Sequence, residues 1–267
     1  MTKKLPFLLI IPHGGLDLPE ELYGYENVTP INIFFESDAG ANSIFSIEHS
    51  VYKSIAANIS KLFVDVDREY TQLSPITYDG VIKSRTSMNL EVFKDDCYPD
   101  EIAISNILNR YYKPFHDSIK AAIKEFNFKA IIECHTHAAV GPKNAPDRGK
   151  PRPLVIAGYT VETDSGVKQT ASEDMAVELA NIVSKNLSKE GDTVSDIFRV
   201  SNLYGSGFIA AHYGLSSLPL LTLSISRSLF CNEPFFNLET MKIDDSRLQT
   251  ISSLVKSSLE KFYSRFF

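Results

Sequence analysis

KAIIECH, residues 129–135, joins two patterns: an apolar, β-branched run and, at its end, a carboxylate and an imidazole. A short run of this kind reads as a strand, and one that is apolar throughout reads as a strand covered on both faces. Successive side chains of a strand point to opposite faces. Glu133 and His135 therefore share one face, and His137 joins them if the strand continues. Cys134 faces the other way and is expected in the core.

Working outward, PFLLIIPH (6–13), KLFVDVD (61–67), PLVIAGY (153–159) and PLLTLSIS (219–226) have the same character. Helical periodicity fills about 42–60, 100–127, 172–189 and 244–265. Alternation of short apolar runs with longer amphipathic ones is the pattern of an α/β protein. The expectation is a single domain, 1–267, built as a three-layer sandwich with a mixed, mainly parallel central sheet. Loops at 14–32, 70–98, 138–152 and 202–218 hold most of the glycine, proline and polar residues. Long ordered loops tend to be functional, and in open α/β sheets ligands bind at the carboxyl ends of the strands.

The bulk numbers exclude several classes. A chain of 267 residues with 43% hydrophobic and 22% charged residues is ordinary for a globular protein. Its net charge of −6 lacks the basic field that drives phosphate-backbone binding, so nucleic acid is not an expected partner. The three cysteines, Cys97, Cys134 and Cys231, form neither a disulfide framework nor a CxxC site, which suits a reducing cytoplasm. MTKKLPFLLII imitates a signal peptide but has no small-residue cleavage site and runs straight into PHGG, so it reads as a buried first strand. No apolar stretch reaches the roughly 20 residues of a membrane span, and no membrane partner is expected. The pattern specifies no oligomeric state.

Three predicted strands end in or carry acidic or imidazole groups: His13 closes the first, Asp65 and Asp67 lie in the second, and Glu133 and His135 close the third. With the acidic segment Glu36–Asp38 between the two histidines, this repetition points to a metal. A catalytic zinc ion commonly takes two imidazoles and a carboxylate and leaves a position for water, whose pKa it lowers to about 7. Arg68 follows VDVD and Arg227 follows LTLSIS, so both stand where strands open into a cleft. A guanidinium there grips a carboxylate through two parallel hydrogen bonds; the alternative for Arg68 is pairing with Asp65, Asp67 or Glu69. Arg85 and Thr86, in the 70–98 loop, are further candidates to line the cleft. His49 and His212 read as structural or surface residues, and His116, just after Pro114, as a buried hydrogen-bonding group.

These segments, taken in order, resemble the N-formylglutamate amidohydrolase family, relatives of the zinc carboxypeptidases and aspartoacylases. PHGG (12–15) resembles the family's PHSG, ESDAGA (36–41) its acidic segment, and VDVDREY (64–70) its D-x-N-R. YYKPFHD (111–117) is similar to Y-x-x-P-Y-H, and IIECHTH (131–137) to D-x-H-S. NLYGSGFIAAHYG (202–214) is similar to the N-x-P-x-x-G-G-Y segment, and SISRSLF (224–230) to E-I-N-R-x-L-Y. The resemblance implies a zinc-exopeptidase-like fold and one divalent ion, zinc, held by His13, Asp38 and His135. It implies substrate contacts from Arg68 and Arg227, and a pocket shaped by Asn202 and the Ser206-Gly207-Phe208 turn.

Two departures stand out. Ser224 occupies the position of the glutamate suited to be the family's general base, and a serine cannot accept and return a proton as a carboxylate does. Glu133 stands where the family has aspartate; its extra methylene lets it reach toward the metal's water, or lets it orient a ligand. The expected activity is metal-dependent hydrolysis of the amide bond of an N-acyl amino acid such as N-formyl-L-glutamate, with a small-molecule carboxylate as the partner. The alternatives are a weakened relative that binds a carboxylate without cleaving it, and an amidase acting on a peptide or cell-wall amide.

Overall fold

Odd and even positions of the first strand face two different cores. In β1, Leu5–Ile11, every side chain is buried; Phe7, Leu9 and Ile11 join one apolar cluster, and Leu8 and Ile10 join another. The computed structural model describes residues 4–188, 198–200 and 207–267. The other strands are β2 (Val51–Ala56), β3 (Ala130–His137), β4 (Val155–Gly158), β5 (Thr160–Thr163), β6 (Gly166–Gln169), β7 (Phe198–Val200), β8 (Leu220–Ser226), β9 (Phe236–Asn237) and β10 (Lys242–Ile243). Six of them form one sheet in the order β2-β1-β3-β8-β4-β7, while β5-β6 and β9-β10 are small hairpins. All neighbours in the large sheet are parallel except β8 and β4.

The helices are α1 (Pro30–Glu36), α2 (Ala41–Phe45), α3 (Glu101–Ile107), α4 (Lys113–Glu125), α5 (Glu173–Leu187), α6 (Phe208–Tyr213) and α7 (Asp245–Phe266). On one face of the sheet α2, α5 and α7 supply the helical part of the first cluster. Met175, Ala176, Leu179, Ala180, Val183 and Leu187 of α5 recur at the three- and four-residue spacing that makes one buried stripe. On the other face α3, α4 and α6 supply the second cluster through Ile107, Phe115, Ile119, Ala122, Ile209 and Ala210. The result is the expected three-layer α/β sandwich with a mixed, mainly parallel sheet. Cys134 lies in the first cluster, and all three cysteines are free thiols. No helix among the described residues is long and apolar enough to cross a membrane.

Two expectations fail together. KLFVDVD (61–67) is not a strand but a succession of turns, and β2 instead lies inside the predicted helix 42–60. Leu62, Phe63, Val64 and Val66 are buried as a strand's would be. Their backbone, however, is satisfied locally, with Phe63 and Val64 N–H donating to Ser60 O and Asp65 N–H to Val81 O. Apolar content reports burial, and a short run does not say which backbone partner it uses. β2 is an edge strand with the irregular burial pattern of Val51 to Ala56, so its sequence lacks both strict alternation and a continuous apolar run. The predicted helix 100–127 is present but is interrupted by a π-turn at Leu108–Tyr112.

Parallel β1, β3 and β8 end on the same edge of the sheet, which brings His13, His137 and Arg227 together. β4 runs the opposite way, so its start, with Pro153 and Arg152, arrives at that edge too.

Candidate metal centre and substrate cleft

His13 lies just past the end of β1, where PHGG lets the chain turn against its neighbours. A Cβ on Gly15 would sit 2.1 Å from the carbonyl oxygen of Asn58, so only glycine fits. Asp38 follows α1 and is tied to the same turn by its own N–H, which donates to His13 O at 2.8 Å. His135 stands on β3, its ring centroid 5.1 Å from that of His13. The three residues each present a ligand atom, all within 4.8 Å of one another.

Hydrogen bonds select which atoms face inward. His13 Nε2 donates to Asp65 Oδ1 at 2.8 Å, and His135 Nε2 donates to Glu133 Oε1 at 3.0 Å. Each imidazole is thus held at Nε2 by a carboxylate, leaving Nδ1 to turn toward Asp38 Oδ2, 3.9 Å from His13 and 3.0 Å from His135. Carboxylates at the far nitrogen of metal-ligating histidines fix tautomer and ring orientation in this way. Asp38 Oδ1 accepts from Lys61 Nζ at 3.2 Å, and Oδ2, which also accepts from Thr136 N–H at 3.3 Å, is the oxygen that faces the two imidazoles. Two neutral-capable imidazoles and a monodentate carboxylate fit zinc or a similar divalent ion.

The carboxylates of this corner are held ionised by the cations and imidazoles around them. Burial alone would raise the Asp38 pKa, but Lys61 and the hydrogen bond from His135 hold it far below the usual carboxylate range. Burial opposes a charge on His135, yet its hydrogen bonds to Asp38 and Glu133 push its pKa up to about 10. Without a metal, then, a doubly protonated His135 bridges the two carboxylates. Asp65 is held well below its ordinary value, Lys83 and His13 overcoming its burial. Lys83 Nζ lies 2.9 Å from Asp65.

The cleft itself is a cavity of about 660 Å³ above this corner. Arg68, Arg227, Gly207, Glu133 and Ser224 all line it. Arg68 donates to the carbonyl oxygen of Asp79 at 3.1 Å and to its carboxylate at 2.8 Å, so its partner is none of the adjacent acids. Arg227 uses Nη1 to donate to Phe35 O and Ser37 O at 3.0 and 3.1 Å. A Cβ on Gly207 would fall 1.7 Å from Asp67 Oδ2, and the amide of Ile209 donates to Asp67 Oδ1 at 2.7 Å. Asp67 is raised well above its ordinary value by burial and by Glu133 and Asp65 nearby.

Ser224 does not stand free. His137 Nε2 faces only a carbonyl, Pro153 O at 2.9 Å, and must donate to it; Nδ1 then accepts from Ser224 Oγ at 2.8 Å. Burial lowers the His137 pKa to about 4, which keeps that arrangement neutral. Glu133 Oε2 is the contrasting case: a buried oxygen without a hydrogen-bond partner among the described residues.

Arg85 is corrected. It does not line the cavity, although its neighbour Thr86 does; its guanidinium pairs with Glu91 at the surface. Arg85 is bridged to Glu91 across a turn closed by Thr86 and Asn89, a partner that loop sequence does not disclose. Asn202 and Ser206 lie outside the described residues. His116 is a buried hydrogen-bonding group, its Nε2 donating to Val66 O at 2.9 Å and its Nδ1 meeting Tyr213 OH at 3.0 Å. His212 is exposed on α6 and stacks on Phe208, and His49 sits in the turn before β2.

Lys61 and Arg152 line the cleft without having been singled out from sequence. Arg152 carries the signal that marked Arg68 and Arg227, a position beside an apolar run, but at its start. Only the antiparallel direction of β4 puts it on the functional edge.

The mainly parallel sheet thus carries at one edge a His-Asp-His group that could hold a metal ion, beside a cleft lined by arginines. Residues 5–231 match the family model for N-formylglutamate amidohydrolase, and the chain belongs to that family. Among solved structures, an N-formylglutamate amidohydrolase from Ralstonia eutropha JMP134 superimposes with a TM-score of 0.72 at 18% identity, covering 99% of this chain and 96% of that one. A gene product of Agrobacterium tumefaciens superimposes with a TM-score of 0.64 at 15% identity, covering 98% and 92%. At such identities the likeness is one of fold. No curated protein sequence matches the chain.

Proposed function

We propose that this protein is a divalent-metal hydrolase that cleaves the amide bond of an N-acyl amino acid. The observation that carries the reading is the convergence of two imidazole Nδ1 atoms and Asp38 Oδ2 at strand ends, with each imidazole braced at Nε2 by a buried carboxylate. Membership of the amidohydrolase family supports amide hydrolysis as the reaction class. A bound zinc or similar ion supplies Lewis acidity toward the scissile carbonyl and activates a water.

The chain's own residues do the rest. Arg227 holds the substrate carboxylate, and Arg68, braced by Asp79, shapes the opposite wall. Ser224 cannot take the general base's role, because its hydroxyl is already donated to His137. Glu133 can: Oε1 keeps His135 in place while Oε2, buried and unpartnered, is a proton acceptor on the cleft floor. Asp67, whose raised pKa favours its protonated form, stands close enough to feel the Glu133 charge and forms the other half of an acid–base pair.

The test is metal analysis of the purified protein together with a screen of N-acyl amino acids for release of the free amino acid. About one ion per chain and measurable cleavage are expected, a single open three-ligand site being one ion's worth of donors. The His13→Ala, His135→Ala double variant should carry almost none; stoichiometric metal in that variant removes both residues from the site.

A further inference from the structure

The cavity contains more cations than it offers to a ligand. Four lysine or arginine side chains line it among the described residues, and three already face carboxylates of this chain. Lys61 is paired with Asp38 at 3.2 Å, Arg68 with Asp79 at 2.8 Å, and Arg152 binds Asp147 through two nitrogens at 2.7 and 2.8 Å. Arg227 alone among them has no carboxylate partner in the described residues; its two hydrogen bonds both leave from Nη1 and end on carbonyls. Nε and Nη2 remain for one incoming carboxylate.

The rest of the wall is unsuited to a second anion. Glu36 and Glu133 line the same space, and the other three cations are already paired, so a further carboxylate would meet like charge or stay unpaired, which costs affinity in a desolvated site. The mouth is apolar instead. Phe35, Met88 and Leu90 line it and are 48%, 52% and 48% exposed. Large apolar side chains left half in water along one rim of a cavity mark a surface that a ligand covers.

We infer that the substrate is a monocarboxylate: an N-acyl amino acid with an apolar side chain, gripped at its single carboxylate by Arg227 and covered by Phe35, Met88 and Leu90, rather than an N-acyl glutamate. The inference rests on the hydrolase reading above and names the substrate class of that site.

Isothermal titration of the metal-loaded protein with N-acetyl-L-leucine, N-acetyl-L-glutamate and N-acetyl-L-leucinamide tests it. The leucine derivative should bind about tenfold or more tightly than the glutamate derivative, the penalty of one unpaired polar group, and the amide should lose a similar factor. Met88→Lys with Leu90→Arg, both at exposed positions that tolerate polar side chains, should narrow or reverse the preference by supplying a second cation. Equal or tighter binding of the glutamate derivative overturns the inference, as does failure of both derivatives to bind. Hydrolysis is read separately: fastest cleavage of an N-acyl glutamate refutes the apolar specificity and upholds the hydrolase, whereas leucine-selective binding with no cleavage of any N-acyl amino acid refutes the hydrolase alone.

Discussion

The floor and the mouth of the cleft are built on opposite rules. On the floor every imidazole nitrogen of His13 and His135 faces a carboxylate, the carboxylates are buried, and Lys61 and Lys83 hold the outer oxygens. At the mouth Phe35, Met88 and Leu90 stand half in water, and Arg227 has only carbonyls to hold among the described residues. A floor braced on all sides presents a fixed donor set to one ion, because donors that are already oriented need no reorganisation when it binds. A mouth with unspent contacts draws its affinity from the ligand. On the function proposed above, the floor governs metal and chemistry, and the mouth governs which substrate enters.

The sharpest way to break that division is at Glu133, which belongs to the floor but has one oxygen free. Glu133→Gln keeps an acceptor for His135 Nε2 and removes the base, so metal content should stay while turnover falls by about 10²–10⁴-fold. Ser224→Ala should change turnover by less than about tenfold, because that hydroxyl serves only His137. Turnover that survives Glu133→Gln but rises sharply in Ser224→Glu would return the base to the position the family uses.

The mouth is tested at Arg227. Arg227→Ala should weaken substrate binding by about 2–5 kcal/mol, the usual cost of removing one partner of a desolvated ion pair, with metal content unchanged. Lysine should recover only part of it, since it lacks the planar fork. Arg85→Ala is the control: a surface pair with Glu91 contributes about 0–1 kcal/mol to stability and nothing to binding. Loss of metal in Arg227→Ala would show that floor and mouth are coupled.

Protons sharpen the comparison by a smaller amount. His135 has a folded pKa pushed up to about 10 from an ordinary 6.5, so in the metal-free protein it contributes stability that is fully present below about 6.5 and is lost as pH rises through about 10. A metal must displace one of its protons. Apparent zinc affinity, measured by chelator competition, should therefore rise about tenfold per pH unit between about 7 and 9. A pH-independent affinity would mean that His135 enters the site already neutral.

Much of this was legible in residues 5–13, 129–137 and 219–227. The strands there are apolar on both faces, and such runs announce themselves locally. The polar residues at their ends, His13, His135 and Arg227, are conspicuous because they interrupt that pattern. KLFVDVD carried the same local signal and proved to be turns, since burial can be satisfied by side chains whose backbone pairs elsewhere. Asp65 and Asp67 still reach the functional edge, one against His13 and the other against Glu133, by a route that periodicity does not describe.

By itself, then, the sequence determined the α/β class and the central strands and singled out His13, Asp38 and His135, which the fold brings together, because each depends on the order of side chains along a few consecutive residues. Tertiary structure alone decided the rest: the direction of β4 that brings in Arg152, the carbonyl that sets the His137 tautomer and so occupies Ser224, and the pairing of Arg68 with Asp79 that leaves Arg227 as the arginine open to a ligand. These are choices of partner between residues far apart in the chain, and a charged or hydrogen-bonding group is defined chemically by the partner it meets.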